Sequence, residues 1–155
     1  MFRKLTPVLL LAVAVSGCSI RQSVETASIE NSATLCVLQN PEVRAGFLIS
    51  LKSALADNGV KFRVVDHLAV PAECQWTADY VARWSWDLAL YMSYAEIRVY
   101  KDGLMQGKAL YDSTSGGANM GKFIDADTKI RELVSSLLSV KTASIFQRSY
   151  GHTVI

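Results

Sequence analysis

Histidine is almost missing from this chain: there are two in 155 residues, His67 and His152, and neither sits in H-E-x-x-H or in any i, i+4 pair, so a zinc site built on them is disfavoured. Cysteine is nearly as scarce, with three residues and no C-x-x-C. The usual settings of a serine nucleophile, G-x-S-x-G and S-x-x-K, are absent too. No internal repeat is visible, and no basic stripe interleaved with aromatics marks a nucleic-acid surface. The one long apolar run, Pro7 to Val15, is too short to span a bilayer stably.

That run follows the cationic start Met1-Phe2-Arg3-Lys4, which is the pattern of a signal peptide. Val15-Ser16-Gly17-Cys18 closes it and resembles the lipobox of bacterial lipoproteins, where small residues admit the signal peptidase ahead of a diacylated cysteine. An ordinary secretory signal with a chance cysteine would not explain the agreement of order, spacing and apolar context. The resemblance implies removal of residues 1–17, palmitate-type acyl chains on Cys18, and, with Ser19 rather than Asp in the next position, sorting to the outer membrane, facing the periplasm. Each buried methylene contributes about 0.8 kcal/mol to such an anchor.

Residues 18–155 have the length of one ordinary domain. Two of the 16 basic residues lie in the excised segment, leaving 14 against 14 acids, so the mature chain is neutral and its charge points to no polyanionic partner. With Cys18 acylated, Cys36 and Cys74 remain in an oxidising compartment, and they are expected to pair as a disulfide. A metal pair or a catalytic thiol would need a histidine nearby, and neither cysteine has one.

Residues 18–32 read as the lipidated cysteine and a flexible tether, because they carry few large apolar side chains and no period. The domain is placed at 33–139. Ala33 to Leu38 is β-prone, and Asn40-Pro41 suits a helix start. From Glu42 to Asn58 the residues Val43, Phe47, Leu48, Leu51 and Leu55 keep helical spacing until Asn58-Gly59 stops it. Phe62 to Asp66 is a second strand. Trp76, Ala78, Tyr80, Ala82, Trp84 and Trp86 then alternate with polar residues, as on a half-buried strand with its even side inward. Ala95, Ile97 and Val99 share one face of the following strand, whereas Leu88, Leu90 and Met92 have the opposite parity, which requires a bulge or a turn to change the phase.

Asp102-Gly103 signals a hairpin to a strand over Leu104 to Asp112. Ile124, Ile130, Leu133, Val134, Leu137 and Leu138 mark a second helix with Asp125 and Asp127 at its positive end, and 140–155 is a polar tail. The fold class expected is α+β: a two-layer sandwich, with a mainly antiparallel sheet of four to five strands and two helices on one face, in the order β-α-β-β-β-(β)-α.

Gly116 to Lys122 satisfies G-x-x-x-x-G-K, but Phe123 stands where a phosphate-binding loop needs Ser or Thr for Mg²⁺, so a structural loop is expected and no nucleotide. Asp79, Asp87 and Glu96 flank the long hairpin. An acid/base pair among them is the sharper reading and solvated strand charges the simpler one. No catalytic residue, metal or cofactor is assigned beyond the lipid on Cys18. Tyr94, Glu96, Arg98 and Tyr100 fall opposite Ile97 and Val99 and form the expected partner-binding surface.

The lipobox, the tether, one disulfide and the hairpin containing Trp84-Ser85-Trp86-Asp87 and Asp102-Gly103 together resemble the small envelope lipoproteins of the LptE, LpoB and TolB N-terminal-domain group. They are also similar to lipoproteins of unassigned activity that share a Trp-Asp, Tyr and Asp-Gly pattern. The resemblance implies an architecture; function has to come from a site. The expectation is a non-enzymatic outer-membrane lipoprotein that binds an envelope protein or glycan through its sheet face or an open strand edge. The alternative is a periplasmic small-molecule binding module with an aromatic pocket between sheet and helices.

Overall fold

The computed structural model describes residues 19–140. The expected signal peptide, the lipidation site Cys18 and residues 141–155 of the expected tail lie outside the described residues. Among the described residues the chain runs β1 (Arg21–Glu25), β2 (Ala27–Ile29), β3 (Leu35–Gln39), α1 (Ala45–Asp57), β4 (Phe62–Asp66), β5 (Trp76–Asp87), β6 (Ala89–Lys101), β7 (Leu104–Asp112), a 3-10 turn (Met120–Phe123), α2 (Ala126–Leu137) and β8 (Leu138–Val140).

The main sheet has six strands in the order β1-β7-β6-β5-β3-β4, and β2 pairs separately with β8. The chain is α+β with both helices on one side, but the sheet is mixed. β3 runs parallel to both β4 and β5, while β5, β6, β7 and β1 are antiparallel. The expected sheet of four to five mainly antiparallel strands is corrected to six mixed ones: β5, β6 and β7 form the antiparallel meander, but α1 lies between β3 and β4, and a helical crossover joins parallel strands. Leu35, Cys36 and Val37 are all buried, the continuous burial of a central parallel strand.

The expected tether is also corrected. β1 pairs with β7 from Arg21↔Asp112 to Glu25↔Lys108, adding a strand to the sheet. Its hold is largely polar, with Val24 its single apolar side chain packed against the core, and therefore carries no hydrophobic period. Gln22 Nε2 donates to Glu132 of α2 at 2.7 Å, and Lys129 Nζ donates to Gln22 Oε1 at 3.0 Å. Beyond it Ala27 and Ile29 are buried.

Helix α1 begins at Ala45, three residues after the expected start. Asn40 accepts from the Glu42 amide at 3.0 Å and donates to the Tyr80 carbonyl at 3.1 Å, so it closes a turn and is not the cap. The stop is where the sequence placed it, with Gly59 at φ +69. In α2 the Asp125 carboxylate accepts from the Thr128 amide, capping the first turn. The helices pack on each other, with Asn58 Nδ2 donating to Ser135 Oγ at 3.2 Å and Arg131 pairing with Asp57. Below them Phe47 stacks on Tyr80 at 5.0 Å, and one core runs from Leu35, Val37 and Ala78 through Ala95, Ile97 and Val99 to Ala109 and Tyr111.

The phase change in the long hairpin is a bulge. Arg83 pairs with Tyr94 and Trp84 with Met92, leaving Ser93 out of the ladder, so Met92 and Ala95 both face the core. Asp102 and Gly103, at φ 49 and 78, form the two-residue turn of the next hairpin. Cys36 and Cys74 are bonded, with Cα atoms 5.9 Å apart across 38 residues. Closing a loop of that length stabilises by about 4 kcal/mol in the chain-entropy account.

Where β1 passes into β2, the backbone crosses directly over Gly107: a Cβ there would lie 2.6 Å from both the Ala27 nitrogen and the Glu25 oxygen. Gly107→Ala is therefore expected to displace the β1–β2 segment and to cost about 1–3 kcal/mol. Urea unfolding reads the loss, and amide exchange should quicken in residues 21–29 ahead of the β3 core.

Candidate functional site: the open sheet face

Alternation along β6 turns Ala95, Ile97 and Val99 to the helices and Tyr94, Glu96, Arg98 and Tyr100 to the other face. All four are half-buried, and no described helix covers them. The structure brings the four sequence-predicted residues into one row and adds Asp79 and Arg83 of β5 and Asp112 of β7. Asp79 lies directly opposite Arg98 and takes it in a two-point grip, Nε to Oδ1 at 2.7 Å and Nη2 to Oδ2 at 2.9 Å. Glu96 is 3.5 Å from the same guanidinium and accepts from Tyr94 Oη at 2.6 Å. The Arg83 guanidinium lies 4.4 Å from the centre of the Tyr94 ring, and Arg21 reaches Asp112 at 3.6 Å. A polar network thus spans β5, β6, β7 and β1.

These contacts shape the ionisation of the face. Tyr94 keeps its proton above the ordinary phenol value, first because it donates to Glu96 and then because it is desolvated. Tyr100 is raised by burial first and by the charge of Asp79 second. Asp112 is held below the usual carboxylate range, chiefly by hydrogen bonds from the Thr114 side chain and amide, with Arg21 adding to them. Its contribution to stability is present above the unfolded value and is lost as pH falls through the lowered one.

Of the candidate acid/base carboxylates, two meet at one guanidinium and the third lies apart. Asp79 and Glu96 share Arg98, whereas Asp87 lies at the hairpin end in an ion pair with Lys122. Lys122 is buried, donates also to the Gly117 carbonyl, and lies 5.5 and 5.2 Å from the Tyr91 and Phe123 ring centres. The G-x-x-x-x-G-K loop therefore spends its lysine on clamping the β5–β6 hairpin. The loop is tied down at its start as well, where the Ser113 amide and hydroxyl both donate to the carbonyl of the bulge residue Ser93, at 2.9 and 3.2 Å. His67 sits 3.6 Å from Asp66 in an exposed loop, and His152 lies outside the described residues. Among the described residues no group of three or more His, Cys, Asp or Glu is arranged to hold a metal, and no helix is long and apolar enough to cross a membrane.

Clefts open beside the core among the described residues. One of about 750 Å³ is lined by Glu30, Arg63, Glu73, Lys101 and the Cys36 end of the disulfide, with Trp76 as its aromatic wall. Another of about 530 Å³, predominantly apolar, opens between α1, α2 and β5 and is lined by Phe47, Trp84, Ala126 and Ile130.

Sequence reading missed the hairpin end. Parity put Trp86 with the core set, but Trp86, Leu88 and Leu90 are exposed, because this end of the hairpin is not packed into the core cluster. The available signal was the broken phase itself, in a stretch with no Gly or Pro to mark the turn. Leu88 makes that turn at φ 60.

The geometry defines a small α+β domain with one face of its mixed sheet packed on helices and the other carrying an ordered Tyr, Arg and carboxylate network. No protein-family model and no curated protein matches the chain. Among solved structures it is similar to the PelC dodecamer from Paraburkholderia phytofirmans, with a TM-score of 0.51 and 10% identity, over 77% of this chain and 95% of that one. A single-substitution form of the same PelC dodecamer gives a TM-score of 0.49 at 10% identity, over 77% and 92%. At such identity the likeness is one of fold.

Two outcomes follow from the network and the clamp. In an alkaline titration Tyr94 and Tyr100 are expected to ionise later than an ordinary tyrosine, about 10, and Glu96→Gln should bring Tyr94 down while leaving Tyr100 raised. The Tyr94–Glu96 bond therefore stabilises the fold below that ordinary value and is lost as pH rises through the raised one. Lys122→Met should cost about 1–3 kcal/mol and speed amide exchange in residues 84–92, with β7 unaffected.

Proposed function

We propose that this chain is a non-enzymatic outer-membrane lipoprotein that binds another cell-envelope component, protein or glycan, through the open face of its sheet and acts as an assembly or accessory factor. The observation that carries the reading is the Tyr94-Glu96-Arg98-Asp79 network. Its side chains are ordered before any partner arrives, which lowers the entropy cost of docking. Tyr and Arg are also the residue types that dominate binding energy at protein interfaces. For a glycan, the half-exposed phenol rings offer stacking faces and the carboxylates offer acceptors for sugar hydroxyls. The PelC structures of this fold are dodecamers, so a second copy of the chain is the first partner to test.

The apolar cleft beside Phe47 and Trp84 favours a second reading, a binding module for a small hydrophobic molecule, since its volume is within the range of ligand sites.

The test is capture of the mature lipoprotein from crosslinked envelopes, alongside its sedimentation, comparing wild type with Tyr94→Ala plus Tyr100→Ala. Thermal melting confirms that the variant folds. Each truncation is expected to cost about 1–2 kcal/mol of binding, so the pair should lower recovery of the partner, or self-association, by at least roughly tenfold. A partner retained at wild-type level overturns the assignment of this face. An apolar ligand lost with Trp84→Ala and kept by the tyrosine variant supports the second reading.

A further inference from the structure

We propose that the end of the β5–β6 hairpin is a membrane-docking element, with Trp86, Leu88 and Leu90 entering the interface of the same lipid leaflet that carries the acyl chains on Cys18. The proposal rests on the lipoprotein reading of Cys18 and adds the orientation of the domain.

Three observations converge on this end of the molecule. The first is exposure: Trp86 is 75%, Leu88 82% and Leu90 50% accessible, and Met120, on the adjoining 3-10 turn, 70%. Large apolar side chains gathered at a hairpin end mark a docking surface rather than scattered surface residues. An indole beside leucines is the composition that favours the boundary between headgroups and acyl chains.

The second is charge. From Trp84 to Met92 the sequence holds one ionisable acid or base, Asp87, apart from the Tyr91 phenol. Asp87 is already matched by Lys122, whose ammonium is buried between it, the Gly117 carbonyl and the Tyr91 and Phe123 rings. A carboxylate at the bilayer boundary is costly unless paired, and here its partner arrives from the loop that braces the hairpin.

The third is where the anchor leaves the domain. The Ile20 side chain packs against the Gly116–Gly121 loop, where a Cβ on Gly121 or Gly116 would meet it at 3.4 and 3.6 Å. Arg21 is opposite Asp112, which is opposite Tyr94, so β1 begins at the hairpin end of the sheet. Cys18 precedes Ile20 by two residues of about 3.8 Å each. Two residues reach at most about 8 Å, so acyl chains on Cys18 would leave the domain beside the loop that carries Met120 and Lys122, and the leaflet they enter would lie against the same end as Trp86. The acyl chains supply retention and the hairpin supplies a second point of contact. Two points fix the strands end-on to the leaflet and hold the open sheet face side-on to it, clear of lipid.

The experiment uses the mature full chain, purified with its modification, its acylation read by mass spectrometry, and reconstituted into vesicles of phosphatidylethanolamine and phosphatidylglycerol with or without brominated acyl chains. Tryptophan emission is expected to be quenched by the brominated lipid. Trp86→Phe should abolish that quenching, since Trp76 and Trp84 lie back in the domain. Leu88→Asp plus Leu90→Asp should abolish it too, while the acyl chains keep the protein on the vesicles. If mass spectrometry finds Cys18 unmodified, the lipoprotein reading fails and the proposal in this form falls with it. If Cys18 is acylated and the chain is vesicle-bound but Trp86 is not quenched, the docking proposal is overturned while the lipoprotein reading stands. A concentration-dependent shielding of Trp86 without lipid quenching would assign the hairpin end to contact between copies instead.

Discussion

Tyr94, Glu96, Arg98 and Tyr100 face away from the helices because Ser93 drops out of the β5–β6 ladder, and nearly everything of interest on the surface depends on that step. Without the extra residue, placing Met92 in the core would turn Tyr94 inward and Ala95 outward, since the side-chain period of a strand is two. The bulge is stabilised from both sides. Its hydroxyl accepts from Ser85 Oγ at 2.8 Å and donates to the Arg83 carbonyl at 3.3 Å, and its own carbonyl takes both donors of Ser113. Through Ser113 the same residue starts the loop whose Lys122 reaches back to Asp87. One unpaired position thus sets the phase of the open face and braces the exposed hairpin end.

The two halves of the sheet are held by different physics. On the β3–β4–β5 side, parallel strands, a helical crossover and the disulfide enclose Leu35, Cys36 and Val37. Arg63 lies over that bond, donating to both sulfurs at 3.2 Å and to Glu73 at 2.9 Å. On the β1–β7–β6 side, cross-strand and strand-to-helix polar pairs do more of the work, as Gln22 with Lys129 and Glu132 shows. The crosslinked side fixes the frame of the fold, and the polar side is held to it by directional hydrogen bonds and ion pairs.

How far the sequence could be read followed how strongly each element announces itself in apolar spacing or turn chemistry. The hairpin at Asp102-Gly103, the stop at Gly59, the two helices, the need for a phase change near Met92 and the pairing of Cys36 with Cys74 all have local signatures, and the structure contains each of them. β1 had none, since its inward residues are Gln22 and Val24 and its partners lie about a hundred residues on in β7 and α2. The parallel course of β4 and β5 beside β3 is a property of connection and not of any one segment, although the unbroken apolar run Leu35-Cys36-Val37-Leu38 was a sign of it. The row Tyr94 to Tyr100 was legible from parity alone. Its partners Asp79 and Arg83 were not, because cross-strand register depends on where the bulge falls. Trp86 was misplaced since parity reports a face and says nothing of how far the opposing layer extends.

The pairing of β1 with β7 also has a mechanical side. A pull on the domain delivered through Ser19 and Ile20 acts along the axis of β1, whose bonds to β7 lie across that axis from Arg21 to Glu25. The ladder is then loaded in shear, all its bonds sharing the force, instead of being unzipped one bond at a time. Behind it, β2 is trapped over Gly107 and paired with β8, so the strand cannot slide without lifting the far end of the described chain as well. A five-residue edge strand thus ties the start of the described chain to the body of the fold.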